Sequence, residues 1–352
     1  MMLENSQKRC GNAVSQGVEK LRGIRPSSGV RATKPGIFHN FSGIAALALV
    51  VAFAMPAVAQ EWPDKPVSYV IPFGDGGEST IAARLQKPVF NRLTGQDLAI
   101  LNKPGGGGAV VWSQINSMPA DGYTIVGVNL PHIVIQPARG AGYRTRDITV
   151  INIFHYTPNA LIVDDDSPYE TLADFVADAK KRPGEIRLSG SGKGTANHLA
   201  HLRFDHLTEI ETTYSGYKGT GESMEALRAG KVDAAWGYVT VPPKHRGKVR
   251  LLAVATETRF ENQPDVPTFR ERGVDMIGGA YRGIAVPKAT PKAIRREISD
   301  IFLKISQDEE TLARKNEFGF VPVIMPYDDL PAFMAQRTKE YLALAQRAGL
   351  IK

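Results

Sequence analysis

The chain of 352 residues contains only one cysteine, Cys10, so it can form neither an intrachain disulfide nor a cysteine-based metal cluster. It also lacks the GxSxG elbow of many serine hydrolases, the HExxH motif of zinc proteases and any CxxC pair. Charged residues make up 22% of the chain and hydrophobic residues 43%, which excludes a disordered, collagenous or coiled-coil protein. The composition indicates one large or two medium globular domains, and no motif predicts a cofactor.

Only one long apolar run is present, and it lies near the N-terminus. Residues 44–55 read IAALALVVAFAM, and Pro56 and the small-residue triplet AVA, ending at Ala59, follow directly. This pattern predicts a secretory signal peptide within a leader of residues 1–59, with cleavage after Ala59 and a periplasmic mature protein. The run is too short, and too quickly broken, to predict a membrane anchor.

The positive charge of the chain is concentrated in this leader. The full sequence has a formal net charge of +7, but residues 1–59 hold seven of its 43 Lys and Arg and only two of its 36 Asp and Glu, which leaves residues 60–352 at +2. Nucleic-acid binding depends on neutralising phosphates with a basic surface. We therefore predict that the mature protein binds no nucleic acid.

Beyond the leader, short runs rich in β-branched residues alternate with segments of helical periodicity. The first example is VSYVIP at residues 67–72, which a glycine-rich loop connects to a helical segment ending before Gly95. Similar pairs recur up to residue 255, and two long helical segments follow at residues 291–306 and 330–347. This βα rhythm predicts an α/β fold with open, mostly parallel sheets flanked by helices.

Two glycine-rich loops connect a predicted strand to a predicted helix. SGSGKGT at residues 189–195 fails as a nucleotide-binding P-loop, because Arg187 stands where its first glycine belongs and Gly194 follows the lysine. Its backbone N–H groups, together with Ser191, Thr195 and Asn197, could still bind an anion. Residues 73–80 repeat the construction. Two such loops predict a small anion held between two helix N-termini, with plain βα turns as the alternative.

Three histidines, His198, His201 and His206, lie on one predicted helix. Their spacings of three and five residues place the third histidine well away from the first two, so we predict no metal site there. We expect helix packing, or a ligand contact from His198.

Sequence blocks distributed over residues 61–352 resemble, in the same order, the extracytoplasmic solute receptors of tripartite tricarboxylate transporters, the Bug receptors. The blocks are PFGDGGEST, NKPGGG, PADGYT, SPYETLADFVADAKKRPGEI, SGSGKGTANHLA, YKGTGESMEALRAGKVDAAW, VPTFRERG and RGIAVPKATPKAI. The resemblance implies a two-lobed periplasmic binding protein that binds a small carboxylate and performs no chemistry. It further implies lobe 1 at residues 60–158, lobe 2 at residues 159–279, and a return to lobe 1 with the C-terminal helices at residues 280–352.

The resemblance also implies the ligand-binding residues and the partners. The ligand contacts would come from Phe73, Gly77, Glu78, Ser79, Thr80, Ser191, Gly192, Thr195, Asn197, His198, Tyr217, Lys218, Tyr238 and Tyr281. The receptor would be monomeric and would deliver its ligand to the membrane subunits of a transporter. A secreted serine hydrolase using Ser191 with His198, and a sensor subunit of a signalling system with the same fold, remain as alternatives.

One position departs from the family pattern. Thr80 stands where relatives commonly have aspartate, and an acidic residue, Glu78, lies two positions earlier. A hydroxyl at position 80 can donate to a carboxylate, and we expect Glu78, in the first turn of a helix, to face solvent. With Lys218 and Lys193 near the cleft, these residues favour a di- or tricarboxylate, or an aromatic acid, over an amino acid.

Overall fold

The computed structural model describes residues 62–244 and 247–352, so the predicted leader and its cleavage site lie outside the described residues. The strands are β1 (Val67–Ile71), β2 (Leu98–Asn102), β3 (Thr124–Leu130), β4 (Thr149–Asp164), β5 (Arg187–Ser191), β6 (Thr213–Tyr217), β7 (Ala234–Tyr238), β8 (Val249–Val254), β9 (Gly279–Val286) and β10 (Val321–Pro322). The helices are α1 (Glu78–Thr94), α2 (Ala109–Gln114), α3 (His132–Ala138), α4 (Leu172–Lys181), α5 (Ala196–Thr208), α6 (Thr220–Arg228), α7 (Val241–Lys244), α8 (Lys292–Gln307), α9 (Glu309–Phe318) and α10 (Leu330–Arg347).

The strands form one path in the order β2-β1-β3-β9-β4-β7-β5-β6, and β8 and β10 also pair with β4. The predicted α/β class is confirmed. The outer pairs of β1 with β2 and β3, and of β5 with β6 and β7, are parallel. The central strands β4 and β9 instead pair antiparallel with their neighbours, which the βα rhythm did not predict.

Strand β4 is shared between two parts of the fold. Its residues 149–158 pair with β9, and its residues 159–164 pair with β7 and β8. The first half consists of β1–β3, β9, β10 and residues 149–158 of β4, with helices α1–α3 and α8–α10. The second half consists of residues 159–164 of β4 and strands β5–β8, with helices α4–α7. The predicted lobe boundaries stay a prediction, which this change of partner after Pro158 supports.

Each half has its own aromatic core. In the first half, Phe90 and Tyr69 pack around Phe302, with the Tyr69 and Phe302 ring centroids 6.2 Å apart. In the second half, Trp236 stacks on Phe269 at 5.8 Å. Each such side chain stabilises the fold by about 1.5–3 kcal/mol when it is fully buried. Two separate cores allow each half to act as a stable body.

The two glycine-rich loops lead from β1 into α1 and from β5 into α5. Helix α1 begins after Gly77 and ends where Gly95 adopts a left-handed φ of 69°. Helix α5 begins after Thr195, whose hydroxyl accepts a hydrogen bond from the backbone N–H of His198 at 3.4 Å. Since both loops follow the carboxyl ends of strands, they face the crevice where α/β proteins bind ligands.

Candidate functional site

A small cavity of about 20 Å³ lies between the two halves, and both halves line it. Its lining residues are Phe73, Gly77, Glu78, Ser79, Asn129, His132, Ser191, Gly219, Thr220, Tyr238 and Arg282. A volume of this size holds about one water molecule, so the halves are closed on each other. Surface grooves of about 460 and 770 Å³ are larger, but none of the predicted site residues lines them. A groove of about 280 Å³ is lined by one predicted residue, Tyr281.

The loop after β1 contributes the first wall of the cavity. The Phe73 ring packs edge-on against the rings of Trp112 at 6.1 Å and His132 at 5.7 Å. Ser79 lies at the start of α1, where its Oγ accepts a 3.4 Å hydrogen bond from Asn129 Nδ2. Thr80 is fully buried beneath this wall and does not line the cavity. Its Oγ1 accepts a hydrogen bond from Asn102 Nδ2 at 2.7 Å.

Glu78 is buried in the cavity, with 5% of its surface exposed, and the expectation that it faces solvent is wrong. The second half covers the start of α1 and thereby buries this carboxylate. The backbone N–H of Glu78 donates to Thr220 Oγ1 at 3.3 Å, and the Thr240 hydroxyl donates to Glu78 Oε1. The carboxylate also forms an ion pair within its own half, since Oε2 lies 3.7 Å from Arg282 Nη1.

Arg282 lies on β9 and is 2% exposed. Its Nη1 donates to Thr157 Oγ1 at 2.6 Å, and its guanidinium carbon lies 4.7 Å from the centre of the Tyr238 ring. The buried Arg282 Nε has no hydrogen-bond partner within the part of the chain that the structure describes. The guanidinium therefore keeps a donor that a ligand could use.

Burial decides the protonation of the other titratable groups in the cavity. It holds the pKa of His132 well below the usual histidine range, and the nearby Arg282 charge lowers that pKa further. Burial raises the pKa of Tyr238 to about 12, although Arg282 opposes the shift. His132 and Tyr238 are therefore neutral at neutral pH. Among the described lining residues, only Glu78 and Arg282 carry charge.

The loop after β5 contributes one cavity residue, Ser191. Its backbone N–H and hydroxyl both donate to Asn197 Oδ1, the first at 3.3 Å, and its Oγ lies 3.1 Å from Thr195 Oγ1. His198 Nδ1 instead accepts the backbone N–H of Gly194 at 3.3 Å. Burial lowers the pKa of His198 to about 4, and the nearby charges of Arg139 and Lys193 contribute a smaller part of this shift. Ser191 thus has no general base in His198.

Four other predicted residues lie outside the cavity lining. Gly192 packs on the tetraglycine loop of the first half, residues 105–108, where an added Cβ would lie 3.0 Å from Gly107 Cα. Tyr217 is half-buried and Lys218 is exposed. Tyr281 points away from Arg282, as neighbouring strand residues do, and packs on Tyr156 with ring centroids 4.7 Å apart.

Several lining residues were missed from the sequence: Asn129, His132, Gly219, Thr220 and Arg282. One signal for Arg282 was present. The run GAYRGIAV places a single charged residue inside an otherwise apolar strand. A charged side chain in such a strand is costly to bury unless it is paired, so it marks a candidate functional residue.

Two of the three histidines of α5 pack against each other. The rings of His198 and His201 stack with centroids 6.3 Å apart. In residues 62–244 and 247–352, no group of three or more His, Cys, Asp or Glu is arranged to hold a metal ion. Over the same residues, no helix is both long enough and apolar enough to span a membrane.

Comparison with known proteins gives a consistent family. Residues 81–350 match the family model TctC, described as the tripartite tricarboxylate transporter family receptor. The chain is 31% identical to the "UPF0065 protein in gbd 5'region" of Cupriavidus necator, covering 88% of this chain and 97% of that protein. It is 26% identical to Protein BugT of Bordetella pertussis, and the match covers 89% of this chain and 96% of that protein.

Solved structures agree with this family. The periplasmic binding protein BugD is 26% identical with a TM-score of 0.76, covering 83% of this chain and all of that one. The structure of R. palustris Rpa4515 with adipate is 27% identical with a TM-score of 0.77, and the match covers 82% of this chain and 98% of that one. Family and fold are those of solute-binding receptors, and the resemblance noted in the sequence is confirmed. The chain belongs to the tripartite tricarboxylate transporter receptor family.

Proposed function

We propose that this protein is a periplasmic solute receptor that binds a small carboxylate between its two halves and delivers it to the membrane subunits of a tripartite tricarboxylate-type transporter. The observation that carries the proposal is the position of Arg282. This guanidinium is almost fully buried, lines a cavity between the two halves and keeps its Nε without a hydrogen-bond partner among the described residues.

The chemistry of the cavity suits a carboxylate. Guanidinium donors bind carboxylates with charge-assisted hydrogen bonds, which are about twice as strong as those between neutral groups. Ser79 and Ser191 contribute hydroxyl groups from the two loops, and Gly77 leaves the start of α1 open to a ligand. The adipate in the 27% identical Rpa4515 structure supports the same ligand class.

Binding would work through closure of the two lobes. Lobe 1 comprises residues 60–158 and 280–352, and lobe 2 comprises residues 159–279. The present cavity is too small for a metabolite, so the ligand must enter when the lobes are further apart. The segments near Pro158 and Gly279 are the proposed hinge, since β4 changes its pairing partner there. A ligand that contacts both lobes stabilises the closed form, which the transporter would recognise.

The receptor performs no chemistry in this proposal. The Ser191 hydroxyl donates to Asn197 and His198 accepts from the backbone, an arrangement that does not support a serine hydrolase. We further propose that the mature protein is a monomer that begins near Gln60. The remaining predicted site residues, Thr80, Gly192, Thr195, Asn197 and His198, would shape the two loops, while Tyr217 and Lys218 would lie at the edge of the cleft. Tyr281 would pack on the opposite face of β9, against Tyr156.

The proposal is tested by exporting the full chain, purifying it and identifying co-purifying acids by mass spectrometry. Calorimetry on Arg282→Gln should then show at least a tenfold weaker affinity for the acid found. Arg84→Gln is the matched control, because Arg84 is an exposed arginine that pairs with Asp75 at 2.8 Å. Equal affinities of the wild type and Arg282→Gln, or covalent labelling of Ser191 by a fluorophosphonate, would contradict the proposal.

A further inference from the structure

The charges in the cavity form one neutral pair. Glu78 and Arg282 are the only charged residues among its described lining residues, and Glu78 Oε2 lies 3.7 Å from Arg282 Nη1. Both side chains belong to the first half of the fold, because Glu78 opens α1 and Arg282 lies on β9. Their pairing therefore does not depend on closure. A ligand meets both charges as soon as it enters the cleft.

The position of the Glu78 carboxylate is fixed from several sides. Its backbone is held at the start of α1 by the hydrogen bond to Thr220 Oγ1 at 3.3 Å, and Thr240 donates to its Oε1. With 5% of its surface exposed, the carboxylate is not free to turn into solvent when the halves are closed. It occupies space beside Arg282 that a second anionic group of a ligand would need.

This inference rests on the proposed function and specifies the ligand class of the same site. We propose that Glu78 is a specificity-determining residue that restricts the cleft to ligands with a single carboxylate near Arg282, and that it rejects ligands with a second carboxylate at the site. The rest of the ligand would be neutral, or would carry an ammonium group that Glu78 can accept.

The physical reason is the cost of an unpaired charge in a closed cavity. Glu78 lies beside Arg282 Nη1, whereas Arg282 Nε has no partner among the described residues, so one ligand carboxylate can accept a hydrogen bond from Nε. A second carboxylate would find no other cation among the described lining residues and would face the like charge of Glu78. Discrimination by such a repulsive group is a common device for specificity.

The observed position of Thr80 removes the earlier argument for a di- or tricarboxylate. The preference for a di- or tricarboxylate was expected because Thr80 carries no negative charge and offers a hydroxyl to the ligand. In the structure Thr80 is fully buried, and its Oγ1 accepts from Asn102 Nδ2 at 2.7 Å. Lys193 and Lys218, the other residues of that argument, are both exposed. The charge preference of the cavity therefore depends on Glu78 and Arg282.

The test compares acids that differ only in their second carboxylate. Succinate, glutarate and adipate are measured by calorimetry at constant ionic strength, each beside its monoamide, which replaces one carboxylate with a neutral group of the same size. We expect the wild-type protein to bind the preferred monoamide at least tenfold more tightly than its diacid. Glu78→Gln should remove or reverse this preference, and Glu78→Asp, which keeps the charge, should retain it.

Asp75→Asn is the matched control variant. Asp75 lies on the same loop as Glu78, but it is exposed and pairs with the exposed Arg84. Solvent screens its charge, so the preference for monoamides should persist in this variant. Circular dichroism establishes that each variant is folded, and Glu78→Ala replaces Glu78→Gln should the latter not fold.

The outcomes separate the inference from the proposed function. A wild-type preference for diacids, or an unchanged ratio of affinities in the folded Glu78→Gln or Glu78→Ala variant, would overturn the role of Glu78. If no acid or monoamide of the series binds any of the proteins and no acid co-purifies with the full chain, the proposed carboxylate receptor is itself contradicted.

Discussion

Gly192→Ala tests the proposed closure of the two halves. Gly192 lies in the loop between β5 and α5, directly against the tetraglycine loop of the first half. A Cβ at this position would lie 3.0 Å from both the Cα and the N of Gly107, and the nearest atoms it would meet all belong to the first half. The φ of Gly192 is not positive, so alanine introduces no backbone strain. The substitution should affect the contact between the halves and little else.

The size of the effect follows from this distance. Non-bonded carbon atoms stay about 3.5–4.0 Å apart, so the alanine variant must hold the loops about 0.5 Å further apart than the closed structure does. Both neighbours are backbone atoms, which cannot move aside as a side chain can. Overpacking of this kind costs about 1–3 kcal/mol. Because only the closed form bears this cost, the affinity for ligand should fall by about 5- to 150-fold.

The assay is calorimetry with the tightest-binding acid or monoamide of the series described above. Gly142→Ala is the control, since its Cβ would lie 3.9 Å from Ser113 Cβ, an ordinary contact, and its φ is not positive either. That variant should bind as the wild type does. If Gly192→Ala also binds with unchanged affinity, Gly192 does not meet Gly107 in the liganded state, and the closure proposed from this contact is refuted.

Two further predictions concern buried ionisable groups outside the cavity. Burial raises the pKa of Asp205 to about 7, above its unfolded value, so its protonated form stabilises the fold at low pH, and this contribution is lost as pH rises from about 4 to 7. The free energy of unfolding in urea should therefore decline less over this pH range for Asp205→Asn than for the wild type. Equal pH slopes in both proteins would contradict the prediction. Burial lowers the pKa of Lys315 to about 8. Lys315→Met should raise the free energy of unfolding at pH 7 by about 1–3 kcal/mol, because the charged ammonium no longer has to be buried. The Phe154 carbonyl, which accepts from Lys315, would keep the backbone N–H of Val323 as a donor. A lower thermal midpoint of Lys315→Met would show that the hydrogen bond from Lys315 Nζ to this carbonyl outweighs the burial cost.

The local parts of the fold could be predicted because neighbouring residues determine them. Helix α1 ends at Gly95 since only a residue that tolerates a left-handed φ fits there, and the sequence marked this end. The strand at residues 67–72 and the helix after SGSGKGT were predicted for similar reasons. The antiparallel positions of β4 and β9 were not, because they depend on which distant strands meet.

The charged pair of the cavity shows the same limit. Glu78 is buried because Thr220 and Thr240, which follow it by 142 and 162 positions, cover the start of α1. Arg282 lines the cavity because β9 is inserted between β3 and β4, opposite Asn129 and His155. Local periodicity contains no information on such long-range contacts. The family resemblance supplied Glu78 and Tyr238 as candidates, but not Arg282.

Stability alone is a poor explanation for the Glu78–Arg282 pair. Apolar residues of similar volume often replace a buried ion pair at no cost, because removing two charges from water offsets most of their attraction. An exposed pair such as Arg84 with Asp75 contributes at most about 1 kcal/mol. The two charges are better explained by a ligand that meets them before closure, since both belong to the first half. Thr220, Thr240 and Gly192 belong to the second half and make their contacts with the first half in the closed structure. The nearest atoms to an added Cβ at Gly192 belong to the backbone of Gly106 and Gly107, and neither charge of the pair is among them. Glu78→Gln should therefore change which acid binds, whereas Gly192→Ala should change how tightly any acid binds.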